Sequence, residues 1–469
     1  MPPKNKKDKQ GSDAKLCLNM IVKNEAHLVN YVPRGDEKIP VIQRCLENVG
    51  HLIDAIAIVD TGSTDQTIDI INKWAEEHKI PCQVKVDLWR DDFGYSRTVA
   101  LRHGQFLVEK IKKKEITFSP DLPEDTPWYF MFMDADNLIW ANDGKSPFPI
   151  DKKSLVLDSY RAPMRMANVE YGYVMLAKID FLHPWQWYYP VHEFLSEMKG
   201  KDGKQLWVAE FGNLDGGFVD SRREGSRSHN PMKYMADAIS FEKYLISNPF
   251  DDRSLYYLAQ SYRDAGKDLL NQSKISFEKS KREGISHQEK RELENKGRQL
   301  NHLGVDTFER SEKTYIMRAE TPPFNTWKDE YTYCAWFEAA RIRRARKNRF
   351  DQKTINYLMR ANTVRPNRLE APYDLLVYYR SIEAWGIGWS LAKDLIHKPY
   401  PKEDIIFVDK DIHNYKFLFE ASLFAYYVGE KSQFVSLTNK VIKSPHTSDD
   451  IRKLAQDNLN NYGKEKENK

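Results

Sequence analysis

Three continuous apolar runs stand out in the first third of the chain: Leu16–Val22, Ala55–Val59 (AIAIV) and Trp128–Met133 (WYFMFM). Runs of this length without alternation predict strands buried on both faces. Between the first two lies VIQRCLENV, with apolar positions at helical spacing. After the second, Ile68, Ile71 and Ala75 mark one helical face. Strands alternating with helices predict an α/β domain with a largely parallel sheet, and such sheets bind ligands beyond the carboxyl ends of their strands. Asn30–Pro40, with its two prolines and glycine, and Lys112–Thr126 read as surface loops.

From about Pro231 the pattern becomes helical throughout. In SLYYLAQSYRDAGK, residues Leu258, Ala259, Tyr262 and Gly266 fall as in the first helix of a tetratricopeptide-type repeat, without a clean 34-residue period behind them. Residues 272–300 are highly charged and read as a solvated helix or hairpin. YCAWFEAARI and APYDLLVYYRSI repeat the aromatic-plus-alanine pattern and predict stacked helix pairs. The expected organisation is a basic tail over 1–14, an α/β domain over 15–230, a helical tetratricopeptide-like domain over 231–462 and a short tail over 463–469.

Composition adjusts this picture little. A net charge of +4 over 469 residues, much of the excess in MPPKNKKDKQ, argues against a dedicated nucleic-acid binder. No run of about 18 apolar residues is present, so no membrane span is expected, and no apolar stretch follows the basic start as in a secretory leader. Cys17, Cys45, Cys82 and Cys334 lack the spacing of a zinc site or disulfide framework, which fits a reducing, cytoplasmic setting.

The chemistry-bearing residues follow the apolar runs. In IVDTGSTDQT, Asp60 ends the second strand, Gly62 permits a tight turn, and Ser63 with Gln66 has the spacing of a capping box. The plainer role for Asp60 is to order that turn; the sharper one is to accept a nucleobase N–H or ribose hydroxyl. Asp134-Ala135-Asp136 follows WYFMFM. If the strand continues through it, alternation aims both carboxylates at one point, where a hard divalent cation offsets their repulsion. WQWYYPVHEFL then supplies His192 and Glu193 beside aromatics, and SRSHNP supplies His229. A carboxyl in an aromatic setting suits a general base.

The order LNMIVKNE, IAIVDTGSTDQT, DDFGYSRTVAL, WYFMFMDADN resembles family 2 glycosyltransferases of the GT-A fold, most closely the subgroup followed by tetratricopeptide-like helices. The likeness covers residues 16 to about 265 and continues weakly beyond. It implies an inverting, metal-dependent transfer from a nucleotide sugar, a UDP-sugar by preference, with Mn²⁺ or Mg²⁺, to a glycan or protein acceptor. Residue by residue it places Asn24 and Glu25 at the nucleotide edge, Asp60 on base or ribose, and Arg97 near base and diphosphate. Asp134 and Asp136 form the DxD motif, with Asp136 the more direct metal ligand and His229 completing coordination. Glu193, in the family's His-Glu pair, is the base. The chain departs from the family at Arg97-Thr98-Val99, where Arg-Asn is common, which puts a local contact in question.

A helical-repeat scaffold carrying an inactive domain of this fold is the alternative, and retention of Asp134, Asp136, Glu193 and His229 weighs against it. A dinucleotide-binding dehydrogenase lacks its GxGxxG after the first strand. A nucleotidyltransferase wants a Gly-rich basic loop there, and only Lys23 is present. The helical half could hold the acceptor, cover the first domain or pair two chains as a homodimer.

Overall fold

The structure, a computed structural model, describes residues 13–31, 37–166, 169–200, 202–321, 328–404 and 406–467. The chain divides into two compact units, 1–236 and 237–469.

In the first unit the strands are β1 (Lys15–Val22), β2 (Leu28–Asn30), β3 (Lys38–Pro40), β4 (Ala55–Asp60), β5 (Cys82–Val86), β6 (Trp128–Phe132), β7 (Asn137–Ala141), β8 (Ser159–Met166), β9 (Val169–Lys178), β10 (Trp185–Tyr188), β11 (Phe194–Glu197), β12 (Phe211–Asn213) and β13 (Gly217–Ser221). Its helices are α1 (Val41–Val49), α2 (Thr67–Glu77) and α3 (Phe93–Lys112). Nine strands form one mixed sheet in the order β5-β4-β1-β6-β9-β8-β13-β7, with β12 paired to β8. The β5-β4-β1-β6 half is parallel; β9 runs antiparallel to both β6 and β8, and β7 antiparallel to β13. The three apolar runs are thus β1, β4 and β6, adjacent in the sheet, and every residue of β4 and β6 is buried. This is the α/β architecture with a mostly parallel sheet that the sequence predicts.

Two buried asparagines fasten helices to the sheet. Asn19 of β1 donates to Ala57 O of β4 (3.2 Å) and Ala100 O of α3 (2.7 Å). Asn48 of α1 exchanges two bonds with the Ile139 backbone of β7. Each satisfies polar backbone that would otherwise be costly to bury. Gly104 lets α3 approach the sheet, since a Cβ there would lie 2.7 Å from the Phe130 ring.

The domain edges differ in detail from the expected ones. Ala14, assigned to the tail, is fully buried, and its N–H bonds Lys152 O; residues 1–12 of that tail lie outside the described residues. The stretch read as one loop, Asn30–Pro40, contributes to a β2/β3 hairpin whose residues 32–36 lie outside the described ones.

After α4 (Lys233–Ser247), within which the units divide, the helices are α5 (Asp252–Lys279), α6 (His287–Glu320), α7 (Lys328–Lys347), α8 (Gln352–Val364), α9 (Glu370–Ser381), α10 (Trp385–Ala392), α11 (Phe417–Tyr427), α12 (Lys431–Lys443) and α13 (Asp449–Glu467). α13 carries helical backbone into the segment expected as a tail. Leu258, Ala259, Tyr262 and Gly266 all lie on the buried face of α5. The charged stretch 272–300 belongs to an α5/α6 hairpin with a packed inner face. A Cβ on Gly304 would meet Leu270 at 2.9 Å, one on Gly297 would meet Phe277 at 2.9 Å, and Ser273 donates to Gly297 O. No helix among the described residues is long and apolar enough to cross a membrane. The four cysteines are free thiols.

Candidate active site

The carboxyl ends of β1, β4 and β6 meet on one side of the sheet, and the residues singled out by the sequence gather there. Asp60 ends β4 and is 1% exposed. Its Oδ1 accepts from Gly62 N (2.9 Å) and Ser63 N (2.8 Å), so it does order the turn. Its Oδ2 is buried with no hydrogen-bond partner. A sealed acceptor with no donor is rare enough to require an explanation.

The expected capping box does not form. α2 starts at Thr67, and Ser63 Oγ instead accepts from Asn24 N (2.9 Å). Asn24, in a left-handed backbone conformation at φ 56°, accepts Thr64 N through its own side chain (2.8 Å). Glu25 N donates to Thr67 Oγ1 and Ala26 N to Asp65 Oδ2. The loops after β1 and β4 are therefore laced together, and that leaves the Glu25 side chain to point elsewhere.

It meets the segment after β13. Ser226 N approaches both Glu25 oxygens (3.1 and 3.2 Å), and Gly225 N donates to Asp136 Oδ2 (2.9 Å). Glu224 is held on both sides, its carboxylate by Arg44 (2.6 Å) and its carbonyl by the His27 ring (2.7 Å). His229, three residues beyond Ser226, packs edge-on against His27 with centroids 5.2 Å apart. Burial, reinforced by the charges of Asp136, Asp134 and Asp65 against the Ser226 N–H, pushes the Glu25 carboxyl up to about 8. Asp136 is also raised, by burial and then by Asp134.

The DxD motif is not on a strand. β6 stops at Phe132, and Asp134-Ala135-Asp136 is a turn closed by Asn137 N on Asp134 O (3.0 Å). Strand alternation consequently does not aim the two carboxylates. Asp136 turns to Gly225, and Asp134, its side chain 42% exposed, turns to Arg97 Nη2 (2.6 Å).

Arg97 also reaches Glu193, through Nε to Oε1 at 2.7 Å. Glu193 follows the β10/β11 hairpin turn, in which Tyr189 and His192 adopt left-handed backbone, φ 78° and 52°. The neighbour of Glu193 is thus a guanidinium and not the apolar wall expected, because Trp185 and Trp187 turn inward to the core. α3 braces this hairpin. Asp92 caps the helix by accepting Tyr95 N (2.7 Å), Phe93 N donates to Pro190 O (2.8 Å), and Gly94 sits where a Cβ would lie 2.5 Å from Tyr189 O. Thr98, the departure from the family pattern, both accepts Trp187 N (3.1 Å) and donates to Trp187 O (3.4 Å). Among other carboxylates of these segments, Asp180 pairs with His183, Asp220 pairs with Arg222, and Asp215 is exposed.

Asn24, Glu25, Asp60, Arg97, Asp134, Asp136 and Glu193 therefore share one region. Among the described residues no three His, Cys, Asp or Glu side chains are grouped to hold a metal ion. Asp134, Asp136 and His229 accordingly form no closed cage, although one or two carboxylates are all that Mg²⁺ requires of a protein when phosphate oxygens and water supply the rest. Sequence reasoning missed Arg44, Arg227 and the Gly225–Ser226 amides. Arg227 lies over the Phe93 ring at 4.7 Å, tying the same segment to the start of α3. No protein-family model and no curated protein matches this chain.

Proposed function

We propose that the first unit is a GT-A-type catalytic domain that transfers a sugar with inversion from a nucleotide-sugar donor, a UDP-sugar by preference, to an acceptor hydroxyl. The observation that carries this reading is the gathering of Asp60, Glu25, Asp134, Asp136 and Glu193 at the carboxyl ends of adjacent parallel strands, where α/β sheets bind ligands. The buried, unpartnered Asp60 Oδ2 suits an N–H donor such as the uracil imide.

In the reaction, the acceptor oxygen attacks the anomeric carbon from the face opposite the leaving group. Its proton passes to the Glu193 carboxylate, and the sugar–phosphate bond breaks with its electron pair going to the nucleoside diphosphate. The configuration inverts and no covalent enzyme intermediate forms. Asp136 and Asp134 are the residues that would hold Mn²⁺ or Mg²⁺; when bound, such an ion supplies positive charge to the departing diphosphate. His229 packs against His27 on the segment whose Gly225 N–H bonds Asp136.

The test is release of nucleoside diphosphate from a panel of UDP-, GDP- and dTDP-sugars by the full chain with Mn²⁺, without acceptor. Release from UDP-sugars that Asp136→Ala and Glu193→Gln both suppress is expected. No release from any donor, together with no change in melting temperature on adding UDP and Mn²⁺, would sink the proposal.

A further inference from the structure

Arg97 was expected at the base and diphosphate of the nucleotide. Its surroundings argue for a different task. The side chain is 11% exposed, and two of its five N–H groups are committed, Nε to Glu193 and Nη2 to Asp134. Its Cζ lies 5.2 Å from the centroid of the ring of Trp187, a residue whose backbone Thr98 grips on both sides. Burial works against the charge of Arg97, but Asp134 and Glu193 outweigh it and raise the guanidinium further. The Tyr173 hydroxyl, buried and without a hydrogen-bond partner, lies within the electrostatic reach of the same three groups.

We infer that Arg97 is a positioning residue, a single guanidinium that holds the proposed base Glu193 and the Asp134 carboxylate at one fixed spacing. The inference rests on the transfer reaction proposed above. A planar fork fixes the direction of each bond as well as its length, which a lysine ammonium on a flexible stem does not. The fork is itself fixed: the first turn of α3 is bonded to Tyr189 and Pro190, Thr98 to Trp187, and α3 to β1 and β4 through Asn19. Base, DxD turn and helix are thereby registered to one another, and the orientation of Glu193 does not depend on the exposed part of its own loop.

The test uses the full chain and the UDP-hexose that the wild type hydrolyses fastest. Arg97→Gln should lower kcat by roughly 100-fold or more, the scale of losing an oriented base, with the donor KM changed less than about threefold. A donor KM that rises while kcat holds would make Arg97 a nucleotide contact and overturn the inference. Glu193→Gln separates the two readings. If it is inactive while Arg97→Gln keeps wild-type kcat, only the present inference fails; if it is fully active, the base assignment beneath both fails. Should Arg97→Gln not fold, Arg97→Lys decides. It keeps charge but loses the fork, so kcat should fall by roughly tenfold or more at near-constant KM, and a constant kcat would overturn the inference.

Discussion

Glu25→Gln isolates the charge crowding at the site. In the wild type the Glu25 carboxyl stands at about 8, against 4.5 for an unperturbed glutamic acid, because it is buried beside Asp136, Asp134 and Asp65. The folded state therefore binds more protons than the unfolded state throughout that interval. The sign follows: stability associated with Glu25 is fully present below 4.5 and is lost as pH rises through 8. At pH 7 linkage puts the upper limit of that loss at roughly 3 kcal/mol. Glu25 is partly exposed, and screening reduces the figure to roughly 1–2 kcal/mol. Glutamine keeps an acceptor for Ser226 N–H and removes the charge. The variant should match the wild type near pH 5 and exceed it at pH 7, by about 2–8 °C in the melting transition of a unit this size, and by no less at pH 8. Differential scanning calorimetry of both proteins across pH 5–8, without divalent ions, measures this, and subtracting the profiles cancels the titrations they share. Parallel profiles, or a variant less stable at pH 8, would refute the argument that Glu25 is held against its charge.

The same crowding predicts that Mn²⁺ binds wild type more tightly as pH rises from 6 to 8, since a cation displaces the Glu25 proton; calorimetry in buffers of different ionisation enthalpy counts the proton released. Asp136→Ala should abolish metal-dependent UDP binding while leaving circular dichroism unchanged, and retained binding would reject the metal assignment. Gly94→Ala places a Cβ 2.5 Å from Tyr189 O, so it should destabilise the first unit by roughly 1–3 kcal/mol and reduce turnover by displacing the hairpin that carries Glu193. In the second unit, burial works against the Glu370 carboxylate, but His413 and Arg368 outweigh it and pull the carboxyl down to about 2. Its stabilisation is present above 4.5 and is lost as pH falls toward 2, so Glu370→Gln should flatten the acid-denaturation curve of that unit over this range.

The strands that were legible in the sequence are those buried on both faces. β1, β4 and β6 are continuous apolar runs because helices or other elements cover both sides of a parallel sheet. β8, with the sequence SYRAPMRM and an alternating burial pattern, gave no such signal. The site residues were legible where they follow a legible strand, as Asp60 and Asp134 do. What remained hidden was set by distant partners. Arg44 sits in an amphipathic helix where its position reads as polar and solvated, yet it is 1% exposed because Glu224 lies against it. The Ser63–Gln66 spacing was a sound local signal that lost to a competitor, the Asn24 N–H, brought to it by the β1/β4 register. Strand alternation at the DxD failed because a turn intervenes between β6 and β7. Glu25 and Ser226 are separated by most of the unit's length, and nothing local in either segment announces that they meet.

The manner in which the acidic groups coexist bears on what the site can bind. Asp60, Asp136 and Glu25 are each answered by backbone N–H groups, of Gly62 and Ser63, of Gly225, and of Ser226. These amides are neutral donors: they stabilise an anion by hydrogen bonding without cancelling its charge. Asp134 and Glu193 instead share one cation, Arg97. One positive charge set against two carboxylates there, with Asp136 and Glu25 alongside, leaves a surplus of negative charge. A diphosphate alone would be repelled from such a surface, whereas a diphosphate carrying a divalent cation would be drawn to it. Burial raises both the Glu25 and the Asp136 carboxyls, and their acidic neighbours add to the rise, as expected where carboxylates crowd with no cation between them. A divalent cation placed among them would offset that repulsion and offer its charge to the diphosphate of the proposed donor. On the proposed reading cation and donor are mutually dependent ligands, and each should bind far more weakly when the other is withheld.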